Sequence, residues 1–246
     1  MKLVKSNYQK IKKKYLKFLK SQEVMSEPFR DKEQQLKNFY LPISEMINIE
    51  YLKDRKTKVI GLTGGQGSGK STISIILKII LKEGFNLETV IFSIDDFYKT
   101  RRERKKMAKE INPLFLTRGV PGTHDTRMLH SCIKNLKKKN FTKIMIPKFD
   151  KSADDRFPKS KWIRIYKKPD IVIFEGWCVG AKPQKKKYLN MPVNELEKKK
   201  DKNKTWRKQV NLELQKNYQK IFKLINKLIF LKVPSFKYVF KWRLLQ

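Results

Sequence analysis

Acidic residues are scarce in this sequence, and so are cysteine and alanine. Its 246 residues hold 23 aspartates and glutamates against 59 lysines and arginines, a formal net charge of +36. Cysteine occurs twice, at Cys132 and Cys178, which excludes a disulfide framework. Cys132 falls in a helix-like stretch and Cys178 beside an apolar strand, so both are expected as reduced thiols of a cytoplasmic protein. Long apolar runs are also missing. The stretch from Ile73 to Leu81 is broken by Ser74 and Lys78 and is too short to cross a bilayer. Lysines run through the N-terminal residues with no apolar segment among them, so no secretory signal is read there.

What is present is ample for a core. Hydrophobic residues make up 39% of the chain and charged residues 33%, the balance of a soluble globular domain. The large positive charge admits nucleic acid or an anionic membrane as partner. The basic residues are spread along the whole chain, however. Only Ala108, Ala153 and Ala181 are alanine, while Lys, Ile and Asn are abundant, the bias that AT-rich codons impose. The charge is therefore read as composition, and neither nucleic acid nor membrane is expected as a partner.

Residues 1–56 read as a basic helical N-terminal extension. Apolar residues recur at helical spacing from Leu3 to Leu19, and a second short helix is expected from Asn38 to Leu52. Such a basic amphipathic helix suits a membrane surface; packing on its own domain is the expectation here. The pattern changes at residue 57. Strands are expected at Lys58–Thr63, Thr89–Ile94, Lys143–Pro147, Asp170–Phe174 and Lys227–Val233. Helices are expected at Lys70–Lys82 with Gly84 as its C-cap, at Lys99–Glu110, from Asp125 to Lys138, at Thr205–Ile225, and from Ser235 onward. Residues Arg101–Lys106 read as a solvated helix face.

One motif is decisive for the class of chemistry. Gly64-Gly65-Gln66-Gly67-Ser68-Gly69-Lys70-Ser71 fits the phosphate-loop pattern without a gap, and it has a strand before it and a helix after it. The glycines let backbone N–H groups turn inward around a phosphate, and the helix adds its positive end. Lys70 is placed for the β- and γ-phosphates of ATP, Ser71 for Mg²⁺, and Thr72 closes the binding segment. With alternating strands and helices, this predicts an α/β P-loop NTPase fold of three layers, with a mostly parallel sheet and helices on both faces, over residues 57–246. Parallel strands deliver side chains at their carboxyl ends. Two of them end in acids, Asp95-Asp96 and Glu175, candidates for a base and for a metal-associated carboxylate.

Four further segments follow in order: Ser93-Ile-Asp-Asp-Phe-Tyr98, Arg118-Gly-Val-Pro-Gly-Thr-His-Asp125, Pro147-Lys-Phe-Asp-Lys-Ser152 and Ile173-Phe-Glu-Gly-Trp-Cys-Val-Gly180. The set resembles the D-glycerate 3-kinase family of plants, fungi and cyanobacteria, itself similar to uridine kinases, phosphoribulokinase and bacterial pantothenate kinase. The resemblance runs from Val59 to Gln246. It implies Asp95 as catalytic base, Glu175 as the acid associated with Mg²⁺, and an acceptor site drawn from Asp96, Tyr98, Arg118, His124, Asp125, Asp150, Lys151 and Arg156. An anionic acceptor asks for cations, which Arg118, Lys151 and Arg156 supply. Tyr238-Val-Phe-Lys-Trp-Arg-Leu-Leu-Gln246 is similar to the start of a mobile lid, with Arg243 as the candidate that approaches the transferred phosphoryl group. Family members continue past this point, so a domain without its lid and last strand is expected. The implied activity is ATP-dependent phosphorylation of D-glycerate to 3-phosphoglycerate. A kinase for another small hydroxylated metabolite, and a non-catalytic ATP-binding protein, stay open beside it.

Overall fold

The computed structural model describes residues 6–23, 28–235 and 237–239. They divide into two compact units: Met1–Ile91, Lys168–Trp177 and Asn226–Gln246 form one, and Phe92–Lys167 with Cys178–Ile225 form the other.

The first unit grows from a run of apolar residues. Strand β1 (Lys58–Gly64) is buried at every position, as a strand covered on both faces must be. It pairs in parallel with β7 (Ile171–Glu175), Ile60 opposite Ile173, and with β8 (Lys227–Leu231), Leu62 opposite Ile229. With β2 (Thr89–Ser93) the order is β2-β7-β1-β8. The predicted mostly parallel sheet of an α/β fold is therefore present. On the outer face of β8, Leu228 and Phe230 are exposed.

Helix α1 (Tyr8–Gln22) presents Ile11, Tyr15 and Leu19, four residues apart each time. The chain continues through α2 (Lys32–Gln35), a π-helical turn (Leu36–Tyr40) and α3 (Leu41–Leu52). Helix α4 (Lys70–Phe85) is apolar on two sides. Leu77 and Leu81 pack with Ile60, Leu62, Ile171, Ile173 and with Ile47 of α3. Ile76 and Ile80 pack with Ile11, Tyr15 and Leu19 of α1 and with Leu36. The basic N-terminal helix thus buries its apolar stripe on α4, and Lys10 and Lys14 pair with Glu83 of that helix. The expected cap at Gly84 is displaced by two residues. The helix runs on to Phe85 and ends at Asn86, whose φ of 55° lies in the left-handed region. Asparagine tolerates that region better than other residues with a Cβ, so it ends the helix where a glycine is usual.

The second unit carries α5 (Arg101–Glu110), α6 (Thr126–Leu136), the strand β3 (Ile144–Ile146), the two-residue pair β4 (Phe149–Asp150) and β5 (Asp155–Arg156), β6 (Ile163–Ile165), α7 (Glu195–Lys200), α8 (Thr205–Glu213), a π-helical turn (Leu214–Tyr218) and α9 (Gln219–Phe222). Here two expectations are corrected. The strand at 143–147 does not join the main sheet. β3 pairs antiparallel with β6, where Ile163 and Ile165 alternate with the exposed Arg164. The basic run 101–106 is not wholly solvated. Arg104 is completely buried. It donates to the carbonyls of Lys99 (3.2 Å), Leu116 (2.7 Å) and Asp154 (2.5 Å), and pairs with the Asp154 carboxylate (3.0 Å). A guanidinium can be buried here because its fork finds an acceptor on every side. Among the described residues no helix is long and apolar enough to cross a membrane.

Candidate active site

The first unit holds the phosphate-binding loop. Gly64 ends β1 where no side chain fits: a Cβ there would lie 2.8 Å from Ser68 Oγ and 2.9 Å from Leu231 Cβ. Gly67 and Gly69 take φ of 76° and 81°, the region glycine enters freely. The loop then feeds α4, whose first residue is Lys70. Lys70 Nζ folds back over the loop and donates to the carbonyls of Gly64 (3.1 Å) and Gly65 (2.8 Å). Ser71 Oγ donates to Oε1 of the buried Glu175 at 3.2 Å, so the end of β7 and the start of α4 meet in one oxygen pair. Ser71 and Glu175 offer only oxygen donors, which fits a hard divalent cation such as Mg²⁺. Among the described residues no group of three or more His, Cys, Asp or Glu gathers to cage a metal. An ion at this pair would therefore take its other ligands from phosphate and water, the coordination Mg²⁺ prefers.

In the second unit, the turn after β2 sets the acids. Ser93 and Asp96 form a reciprocal cap, Asp96 Oδ2 accepting from Ser93 N (3.1 Å), and burial pushes the Asp96 carboxyl above its usual range. Asp96 therefore serves the backbone of the turn. Asp95 points elsewhere. Its Oδ1 accepts from the Tyr98 hydroxyl (3.0 Å) and its Oδ2 pairs with Lys151 Nζ (3.1 Å). Tyr98 is buried, and burial together with Asp95 pushes its phenol far above the ordinary tyrosine range, so it stays a donor. Its ring stacks on the His124 imidazole at 4.3 Å and meets Phe149 edge-on at 5.2 Å.

The cations close round this group. Arg156 Nη2 donates to Tyr98 O (2.9 Å) and lies 3.6 Å from Asp125 Oδ2. Asp125 also caps α6, accepting from Met128 N (2.9 Å). Arg118 pairs with Asp154, donates to Lys151 O (3.3 Å) and sits 5.5 Å over the Phe149 ring. Asp150 turns back onto Ser152 and Ala153, which its Oδ1 accepts from, so it orders the loop that carries Lys151. Thus Asp95, Tyr98, His124, Asp125, Lys151 and Arg156 form one connected set. Asp96, Asp150 and Arg118 hold the backbone and loops around it. The lid candidate Arg243 lies outside the described residues.

His124 is fully buried, and that burial lowers its pKa from near 6.5 to about 3. In the unfolded chain it takes a proton below about 6.5. Between those values the unfolded state binds the extra proton, so stability is lost as pH falls through the window. From pH 7 to pH 5 His124 contributes about 2 kcal/mol of that loss. Urea unfolding at both pH values is expected to show a smaller drop for His124→Gln by this amount. The same pH dependence in both proteins would contradict a buried neutral imidazole.

Comparison with known proteins meets this geometry. Residues 59–210 match the model of the phosphoribulokinase / uridine kinase family. The chain belongs to that family. Within it, a kinase of Schizosaccharomyces pombe described as the uncharacterized kinase mug58 is 36% identical over 196 residues, 76% of this chain and 69% of that protein. The chloroplastic D-glycerate 3-kinase of Arabidopsis thaliana is 30% identical over 194 residues, 76% of this chain but only 40% of that protein. Among solved structures, D-glycerate 3-kinase from Cryptococcus neoformans superposes with a TM-score of 0.71 at 23% identity, covering 85% of this chain and 78% of that one, a likeness of fold. The phosphate loop, with Lys70 at the head of α4, thus lies within the stretch of the chain that matches that family.

Two structural residues of the second unit escaped sequence reading. Tyr218 is buried in the π-helical turn and bonds both Gly122 N (2.9 Å) and His124 Nδ1 (2.6 Å). Arg104 fixes the loop that Asp154 shares with Arg118. Arg104 lies in a charged run and Tyr218 in an amphipathic stretch, so neither has a local pattern that separates it from its neighbours.

Proposed function

We propose that the chain phosphorylates a small hydroxylated acid, D-glycerate in the first place, using ATP and Mg²⁺. The observation that carries this reading is the set around Asp95. A carboxylate held by a neutral phenol and a lysine stands beside Arg156 and His124, with Arg118 binding the Lys151 loop. That is the chemistry of a base surrounded by groups for an anionic acceptor.

In this reading Asp95 takes the proton of the acceptor hydroxyl as its oxygen bonds the γ-phosphorus. The bond from that phosphorus to the β–γ bridging oxygen breaks, and ADP leaves. Lys70 gives up its loop carbonyls to neutralise phosphoryl charge, and the loop N–H groups bind the β-phosphate. Ser71 and Glu175 would hold Mg²⁺, which when bound supplies charge neutralisation to the phosphates. Lys151 and Arg156 pair with the acceptor carboxylate. Arg243 is proposed as a further cation for the phosphoryl group. The small molecule is the partner, and neither nucleic acid nor membrane is needed.

The test is ADP release with D-glycerate, uridine and pantothenate offered separately. D-glycerate is expected to give a kcat/KM at least about tenfold above the others, the preference one well-made charge-assisted contact confers. A preference for uridine or pantothenate would move the acceptor assignment to another small hydroxylated metabolite. ATP binding with no ADP release above background for any of the three would favour a non-catalytic nucleotide-binding protein.

A further inference from the structure

The hydrogen bonds of Tyr218 fix more than its own position. Its hydroxyl has one proton to give. Gly122 N–H already donates to the oxygen (2.9 Å), and His124 Nδ1 lies 2.6 Å away. Tyr218 is fully buried, and burial pushes its phenol well above the ordinary range, so the hydroxyl keeps its proton. If His124 Nδ1 carried a proton, the tyrosine oxygen would accept twice and its own O–H would lack an acceptor. The arrangement that satisfies every atom has Tyr218 O–H donating to a bare Nδ1. A neutral imidazole bare at Nδ1 carries its proton at Nε2.

That nitrogen is buried and has no partner. Arg156 Nε, on the side chain that bonds Tyr98 O, is likewise buried without a partner. Two unmatched buried donors therefore flank Tyr98, one through the His124–Tyr98 stack and one through the Arg156–Tyr98 bond. A buried donor left unmet is costly, so the cluster calls for acceptor oxygens.

We infer that Tyr218 is a positioning residue which holds His124 as the Nε2–H tautomer, so that the acceptor site donates to an oxygen of the substrate, a carboxylate or hydroxyl oxygen, and refuses a group that brings its own N–H. This rests on the acceptor site proposed above. The tautomer itself can be read without turnover.

The chain has two histidines, His124 and His130. Long-range ¹H–¹⁵N correlation of histidine-labelled protein, assigned with His130→Gln, is expected to show His124 protonated at Nε2 and bare at Nδ1. In Tyr218→Phe the lock is gone and the Nδ1–H form becomes populated. With D-glycerate as probe, KM is expected to rise about tenfold in Tyr218→Phe, the worth of one hydrogen bond, while kcat changes less. The side-chain amide of His124→Gln reaches the Nε2 position and that of His124→Asn the Nδ1 position. Glutamine is therefore expected to keep the wild-type KM more nearly than asparagine, a comparison that stands even if Tyr218→Phe fails to fold. A wild-type His124 protonated at Nδ1 would overturn the inference, as would asparagine rescuing better than glutamine. Should D-glycerate not turn over while the spectrum shows the Nε2–H form, the tautomer assignment holds and the substrate assignment falls.

Discussion

Lys70→Met is expected to lower kcat by roughly 10³-fold, the scale on which removing one preorganised charge-stabilising group acts. Methionine keeps most of the unbranched stem at the head of α4 and deletes the ammonium. The deleted group is the one that now reaches the carbonyls of Gly64 and Gly65. Those contacts join residues of one loop, so their loss should leave the fold in place. The glycine conformations at Gly67 and Gly69 and the Gly64–Leu231 approach do not depend on them. Unfolding midpoints for the variant and the parent should therefore agree closely. Activity within tenfold of wild type, measured as ADP release, would remove Lys70 from the transfer step.

Asp95→Asn is expected to reduce kcat by roughly 10² to 10⁴-fold with little effect on the KM for ATP, the range general-base catalysis supplies. The amide oxygen can still accept from Tyr98, so the stacked Tyr98–His124 pair survives. What disappears is the proton acceptor and the charge that pairs Lys151. The same substitution at Asp96 should act differently. Asp96 accepts from Ser93 N and completes the cap of the turn, and an asparagine oxygen can still accept there, so Asp96→Asn is expected to cost less than about 1 kcal/mol of stability and no base. Equal kinetic losses at the two positions would contradict the division of labour between them.

How much of this the sequence carries depends on how local each feature is. The phosphate loop lies in eight consecutive residues, and in the structure Gly67 and Gly69 take positive φ while Gly64 leaves no room for a Cβ. β7 opens on the apolar run Ile171–Phe174 and β1 holds Val59, Ile60 and Leu62, so the burial of both strands is legible in composition, although Lys58 and Thr63 of β1 are buried with them. The acids at the strand ends are legible for the same reason. Asp95 and Asp96 are adjacent and alike, yet one faces the Tyr98 hydroxyl and the other its own backbone. Only the geometry of the turn after Ser93 separates them.

Arg104 and Tyr218 are partners across long stretches of chain. Arg104 bonds Lys99 and Leu116 nearby but also Asp154, and Tyr218 bonds His124, so part of each one's burial answers to residues far away in sequence that no local window contains. β3 falls outside the main sheet, because three apolar residues read the same in an antiparallel pair and in a parallel sheet; the decisive residues are Ile163 and Ile165, on a strand too short to stand out. Asn86 ends α4 in a role that Gly84 fits better by residue type, because running on to Phe85 keeps that side chain packed with the core of the first unit.

The most direct measurement is ³¹P NMR of the protein incubated with ATP, Mg²⁺ and D-glycerate, with Lys70→Met in parallel. The account predicts a phosphomonoester resonance growing in step with ADP, and growth of both roughly 10³-fold slower in the Lys70→Met sample. Release of inorganic phosphate without a phosphomonoester, or growth in Lys70→Met within about tenfold of the parent, would contradict it.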